Sequence, residues 1–219
     1  MSVPNVFDIT LARSYDASAL TLPPAVYLSE SENDQRRPAA GKGATMTISV
    51  FVGISVDGFI ARPDGALDFL DEGGGEPHGY DEFISTVDTL VIGRNTFETV
   101  LGFPEWPYGE KRVVVLSSRP LDLSVVRSSR VEQMAGAPTE IVAKLAASGA
   151  QHLYVDGGIT IQRFLRAGVV DRLTVTRVPV LIGQGIPLFG SLPGDVRLRH
   201  VATQHYQGGL VKSEYDVVH

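Results

Sequence analysis

From position 46 onward the chain alternates between short apolar runs and segments with helical spacing. Thr47-Ile48-Ser49-Val50-Phe51-Val52 opens the series, and a strand is predicted over 47–54. Leu90-Val91-Ile92, Val113-Val114-Val115-Leu116 and Leu153-Tyr154-Val155 are continuous apolar runs with the length of a strand covered on both faces. Strands are therefore expected at 89–92, 112–116, 129–132 and 152–155, and helices at 79–87, 95–101, 139–148 and 159–167. Pro138-Thr139 marks a helix start and Gly149 a helix end. Regular alternation of strand and helix predicts a parallel sheet with helices on its faces. Beyond residue 168 the pattern changes: 170–180, 196–204 and 209–218 read as consecutive strands with no helix between them. Leu210-Val211-Lys212-Ser213-Glu214-Tyr215-Asp216-Val217 alternates as an exposed antiparallel edge does. The expected fold is α/β. It has three layers, a mostly parallel twisted sheet of about eight strands flanked by helices, and an antiparallel C-terminal hairpin.

Residues 1–45 lack this order. Their stretch from Ser29 to Gly43 is polar and punctuated by Pro and Gly, which reads as a disordered linker. The organisation expected is an N-terminal extension over 1–45 and one domain over 46–219. Met46 as the true start, a regulatory tail and a degenerate targeting segment are three readings of the extension.

Composition narrows the function. A hydrophobic content of 43% supports a real core. A net charge of −6 argues against a nucleic-acid partner, but leaves room for a small anion held by a local Arg or a helix N-terminus. With no cysteine, disulfides, thiolate metal ligands and Cys nucleophiles are excluded. No apolar run approaches the roughly 18 residues that span a bilayer, so no membrane partner is expected and the location expected is cytoplasmic. The five histidines lack metal-ligand spacing, and no metal is expected.

Four segments carry candidate chemistry. In Gly93-Arg94-Asn95-Thr96 a glycine turn opens a helix, the Arg offers a bidentate phosphate contact and the Thr a hydroxyl. The plainer reading is a helix start with a solvated Arg. Ser117-Ser118-Arg119 ends an apolar strand, where ligands bind in parallel sheets; the plainer reading is a polar turn before Pro120. Asp156-Gly157-Gly158-Ile159-Thr160 lets backbone approach a pyrophosphate, or is simply a tight turn. Neither G-x-G-x-x-G nor a Walker A pattern is present. Ser55-Val56-Asp57-Gly58-Phe59-Ile60-Ala61 breaks the first strand into a loop that acts as a water-excluding lid or as an ordinary turn.

Taken in order, these segments resemble the dihydrofolate reductase superfamily. The similarity is greatest to the branch holding the reductase domain of riboflavin biosynthesis. Val170-Asp171-Arg172-Leu173 and Pro179-Val180-Leu181-Ile182-Gly183-Gln184-Gly185-Ile186-Pro187-Leu188-Phe189 complete the set, which spans about 46–217. The resemblance implies a dihydrofolate reductase-like fold and NADPH as cofactor. It implies a hydride passed to a pyrimidine- or pterin-like small molecule, as in 5-amino-6-(5-phosphoribosylamino)uracil reductase. It places Gly93, Arg94 and Thr96 at cofactor phosphates, and Ser117, Ser118 and Arg119 at the adenosine end. Gly157, Gly158, Ile159 and Thr160 fall at the pyrophosphate, Gly53, Ile60 and Ala61 at the nicotinamide, and Thr176 facing substrate. It also implies a homodimer, paired through the C-terminal strands at Gly209–Val218.

Two positions depart from the pattern. The riboflavin branch carries Lys where this chain has Phe59, and folate reductases carry an acid early in the helix that here begins near Tyr80-Asp81-Glu82. The proton donor is left open among Asp57, Tyr80, Asp81 and a water. A reductase of another substrate and a nucleotide-binding module without turnover are the alternatives.

Overall fold

In a computed structural model that describes residues 46–73, 78–126 and 130–219, the β-branched and leucine runs form the centre of an eight-stranded sheet. Its strands are β1 (Thr47–Ser55), β3 (Thr89–Gly93), β4 (Arg112–Leu116), β5 (Val131–Met134), β6 (His152–Asp156), β7 (Arg172–Val178), β9 (Arg197–His205) and β10 (Val211–Val218). Their order across the sheet is β5-β4-β3-β6-β1-β7-β10-β9. The first six in that order run parallel, and β10 and β9 are added antiparallel. Almost every position of β1, β3 and β4 is buried, because helices cover both faces.

Alternate side chains serve the two helix layers. Val50, Val91, Val114 and Val155 pack with Ile141 and Leu145 of α3 (Pro138–Ala147) and with Ile161 and Phe164 of α4 (Gly158–Arg166). Phe51, Leu90, Ile92, Val113 and Val115 pack with Ile84 of α1 (Tyr80–Thr86) and with Phe97 and Val100 of α2 (Arg94–Leu101). At the start of α3, Glu140 accepts the Ala137 N–H at 3.2 Å; this is half of a capping box, since an alanine side chain has no acceptor.

The helices fall where periodicity puts them, within a residue or two. Strand β5 starts later than the expected 129–132, and residue 129 lies outside the described residues, as does the expected linker within 1–45. Strands β2 (Phe59–Ala61) and β8 (Ile186–Pro187) were not expected; they pair antiparallel as a separate two-stranded sheet. The C-terminal edge is also different. Strand β10 lies between β7 and β9, and the outer strand is β9, exposed at nearly every position. The alternation in β10 does not mark solvent: Lys212 is buried and ion-paired with Glu214 at 3.1 Å.

At the amino ends of the strands, His152 ties β6 to β1 and α1. Its Nε2 lies 2.8 Å from the Ser49 hydroxyl, and its Nδ1 lies 3.0 Å from Thr86 Oγ1. Burial pushes the imidazole below its ordinary pKa of 6.5. The unfolded chain then takes up this proton more readily. The contribution is therefore present above pH 6.5 and is lost as pH falls through the lowered folded value. Urea titrations at pH 7 and pH 5 should show wild type losing more stability on acidification than His152→Gln. Parallel losses in the two proteins would contradict a half-buried neutral imidazole.

Candidate active site

Strands β3 and β6 end side by side, with Ile92 opposite Asp156, and each runs directly into a helix. Gly93 precedes α2 and Gly157 precedes α4; neither position supplies a side-chain cap. First-turn N–H groups of both helices therefore face outward beyond the carboxyl edge of the sheet, where the two dipoles favour negative charge.

The two junctions interlock. A Cβ at Gly93 would lie 2.7 Å from Thr160 Oγ1, the hydroxyl of the other junction. A Cβ at Gly157 would collide with Thr96 Oγ1, and Gly157 sits at φ 92°, where L side chains are strained. Gly158 is boxed in by Ile186 and Ile60, whose methyls would stand 3.0 and 3.1 Å from its Cβ. Each glycine leaves the space that a threonine or isoleucine of a neighbouring segment fills, which holds the helix starts at a fixed separation.

Above the junctions lies a largely apolar chamber of about 250 Å³. Gly53, Ile60, Ala61, Gly93, Arg94, Thr96, Gly157, Gly158, Ile159 and Thr160 all lie on its wall. The segment after β2 adds Gly65, Leu67 and Leu70. A two-point ion pair of Arg62 with Asp68, at 2.6 and 2.8 Å, braces that segment.

One carboxyl lines the chamber among the described residues, that of Asp156. Burial raises its pKa from 3.8 to about 6, against the opposing pull of the Gly157 N–H, which it accepts at 2.7 Å. Asp156 escaped the sequence reading because Asp-Gly-Gly was read for the backbone of its glycines, as a pyrophosphate approach or a tight turn, and not for its carboxyl. The available signal was the two-residue period of β6, which puts Asp156 on the same face as Tyr154.

The proton donors considered from sequence lie elsewhere. Asp57 is exposed and staples two loops, accepting the N–H groups of Gly183 at 2.7 Å and Ile182 at 3.3 Å. The Ser55 hydroxyl and these N–H groups hold its carboxylate in the charged form, below the ordinary range. Asp81 is exposed on the first turn of α1. Tyr80 is buried edge-on against Phe51 and Tyr154. Thr176 is fully buried, one strand away opposite Gly53, and is not on the chamber wall.

A second, polar crevice continues from the chamber. Ser117, Ser118 and Arg119 line it, and Arg94, Asn95, Leu116 and Arg163 border both spaces. Arg94 acts mainly as a brace. It donates to Ser117 Oγ (3.1 Å), Glu98 (3.2 Å), Arg119 O (2.8 Å) and Pro120 O (2.8 Å).

Sheet order, paired helix starts and chamber together define a dihydrofolate reductase-like domain. The dihydrofolate reductase of Enterococcus faecalis, solved with NADP(H) and RAB-propyl, shares the fold at a TM-score of 0.52 and 19% identity, over 78% of this chain and 94% of that one. The chain belongs to the RibD C-terminal domain family, whose model matches residues 46–212. It is 33% identical to the uncharacterized protein YwjB of Bacillus subtilis (strain 168), over 76% of this chain and 95% of that one. It is also similar to a candidate riboflavin biosynthesis protein of Shewanella sp. PV-4, with 35% identity and a TM-score of 0.75, over 80% of this chain and all of the other.

Proposed function

We propose that this chain is an NADPH-dependent oxidoreductase acting on a small, conjugated nitrogen heterocycle of pyrimidine or pterin type. The observation that carries the reading is the meeting of two uncapped helix starts at one apolar chamber that holds, among the described residues, a single half-buried carboxyl. Family membership agrees with it.

The residues present fit the cofactor. Glycines at 93, 157 and 158 leave backbone open where any Cβ would crowd a neighbour, and the N–H groups after them suit a pyrophosphate. Gly53, Ile60 and Ala61 offer a flat apolar wall for the nicotinamide, and the serine crevice suits the adenosine end. When bound, NADPH supplies the hydride. The protein's part is to orient both rings and to exclude water with the Leu67–Leu70 segment. Asp156 holds a proton at its carboxyl oxygen up to a pH of about 6 and releases it to a substrate nitrogen or oxygen.

No lysine lines the chamber among the described residues, and Phe59 turns its Cβ toward Gly185. That favours an uncharged heterocycle over a phosphoribosylated one. The test is to measure NADPH binding by fluorescence, then loss of nicotinamide absorbance with a panel of aminopyrimidines and pterins. Binding with turnover of at least one substrate is expected. Binding without turnover across the panel would favour a nucleotide-binding module, and no binding would remove the reading.

A further inference from the structure

We infer that Arg163, on the second turn of α4, is the cation that reads the 2′-phosphate of the dinucleotide and so sets preference for NADPH over NADH. The inference rests on the cofactor reading above. It differs from the sequence expectation, in which Ser117, Ser118 and Arg119 surround the adenosine end and Arg94 holds a cofactor phosphate.

Among the described residues three guanidinium groups border the polar crevice: Arg94, Arg119 and Arg163. A phosphate needs donors and positive charge that the protein has not already used. Arg94 fails on both counts. Four of its five N–H groups are committed to protein acceptors, and its charge is paired with Glu98. Ser117 is committed as well. Its only proton goes to Arg119 O at 2.7 Å, and its oxygen accepts from Arg94 Nε and the Arg119 N–H.

Arg163 is in a different position. Among the described residues it makes one hydrogen bond, from Nη2 to the Gly136 carbonyl at 3.0 Å, and no carboxylate pairs with it. Glu140, on the adjoining turn of α3, is directed onto the Ala137 N–H. The Gly136 contact fixes the direction of the guanidinium while leaving most of its donors open. Arg163 also borders both the chamber and the crevice, so it stands where a dinucleotide must pass from pyrophosphate to adenosine. Arg119, exposed like Arg163, borders the crevice alone, so it adds charge without standing at the passage.

The experiment measures dissociation constants of the full chain for NADPH, NADH, 2′,5′-ADP and 5′-ADP, in wild type, Arg163→Gln, Arg163→Lys and Arg94→Lys. Arg163→Gln should weaken NADPH and 2′,5′-ADP by about tenfold to a hundredfold, the range of a charge-assisted contact. Its effect on NADH and 5′-ADP should stay under about threefold, and Arg163→Lys should recover part of the loss. Equal weakening of NADPH and NADH would place Arg163 at the pyrophosphate and overturn the proposal. So would an unchanged NADPH preference in Arg163→Gln, or a preference abolished by Arg94→Lys alone. If wild type binds both dinucleotides equally, this proposal fails while the dinucleotide site stands. If wild type binds none of the four, the cofactor reading itself fails.

Discussion

Replacing Asp156 by Asn should cut turnover by about a hundredfold or more and, at neutral pH, make the protein more stable. The two effects have one cause. Partial burial in the chamber wall disfavours the charged form of the Asp156 carboxyl, so its pKa lies near 6 instead of 3.8. A group whose folded pKa is raised contributes stability below its unfolded pKa and loses that contribution as pH rises through the folded value. Between about pH 4 and pH 6 wild type therefore loses roughly 2–3 kcal/mol, at about 1.4 kcal/mol per pH unit separating the folded and unfolded values. Asparagine keeps the shape and cannot ionise. Asp156→Asn should exceed wild type by about that amount at pH 7.5 and match it near pH 3.5, read by urea denaturation at both values. His152 pulls in the opposite direction in both proteins and cancels from the difference. Turnover should fall by about a hundredfold or more, the usual contribution of a positioned acid. Wild-type kcat should decline as pH rises above about 6. A kcat that is flat from pH 5 to 8 would end the proton-donor role.

The second large effect is expected at Gly157. Alanine there meets two penalties. A left-handed backbone costs an L residue about 1–2 kcal/mol, and the new Cβ runs into Thr96 Oγ1, an overpacking worth about 1–3 kcal/mol. Gly157→Ala should lose about 2–5 kcal/mol in urea denaturation, a large part of the roughly 5–15 kcal/mol that a domain possesses. Thr96→Ala removes the obstructing hydroxyl but not the backbone strain. The double variant should therefore regain about 1–3 kcal/mol over the sum of the singles. Strict additivity would mean that the two helix starts do not interlock through this contact.

How much of this was legible beforehand follows from how each element is encoded. The central parallel strands β1, β3 and β4 announce themselves because both faces are buried, so Val113-Val114-Val115-Leu116 needs no partner to be read as a strand. Strands β2 and β8 have three and two residues and exist only because Phe59 and Ala61 meet Pro187 and Ile186 across a long sequence gap. No local period records such a pairing. The place of β10 inside β9 was hidden for a similar reason: alternation shows that a strand has two unlike faces, not which neighbour it takes. At the site, the glycine turns were visible as turns and their threonines as hydroxyls. What sequence could not show is that each threonine occupies the other junction's missing Cβ. Arg94 was legible as a cation near the right place. Its four protein acceptors lie in segments folded back from Ser117 to Pro120 and one helical turn away, so its commitment emerged only from the packing. Asp156 was hidden in plain view, because burial and not residue type lifts the pKa of a turn aspartate to about 6.

The central claim is that both helix starts form one dinucleotide cradle. Amide NMR of the labelled protein titrated with NADPH tests it most directly. The amides of Gly93–Thr96 and Gly157–Thr160 should shift together along one saturation curve, while those of Ser49 and His152 at the far ends of their strands stay still. Saturable shifts confined to one junction, or centred away from both, would contradict it.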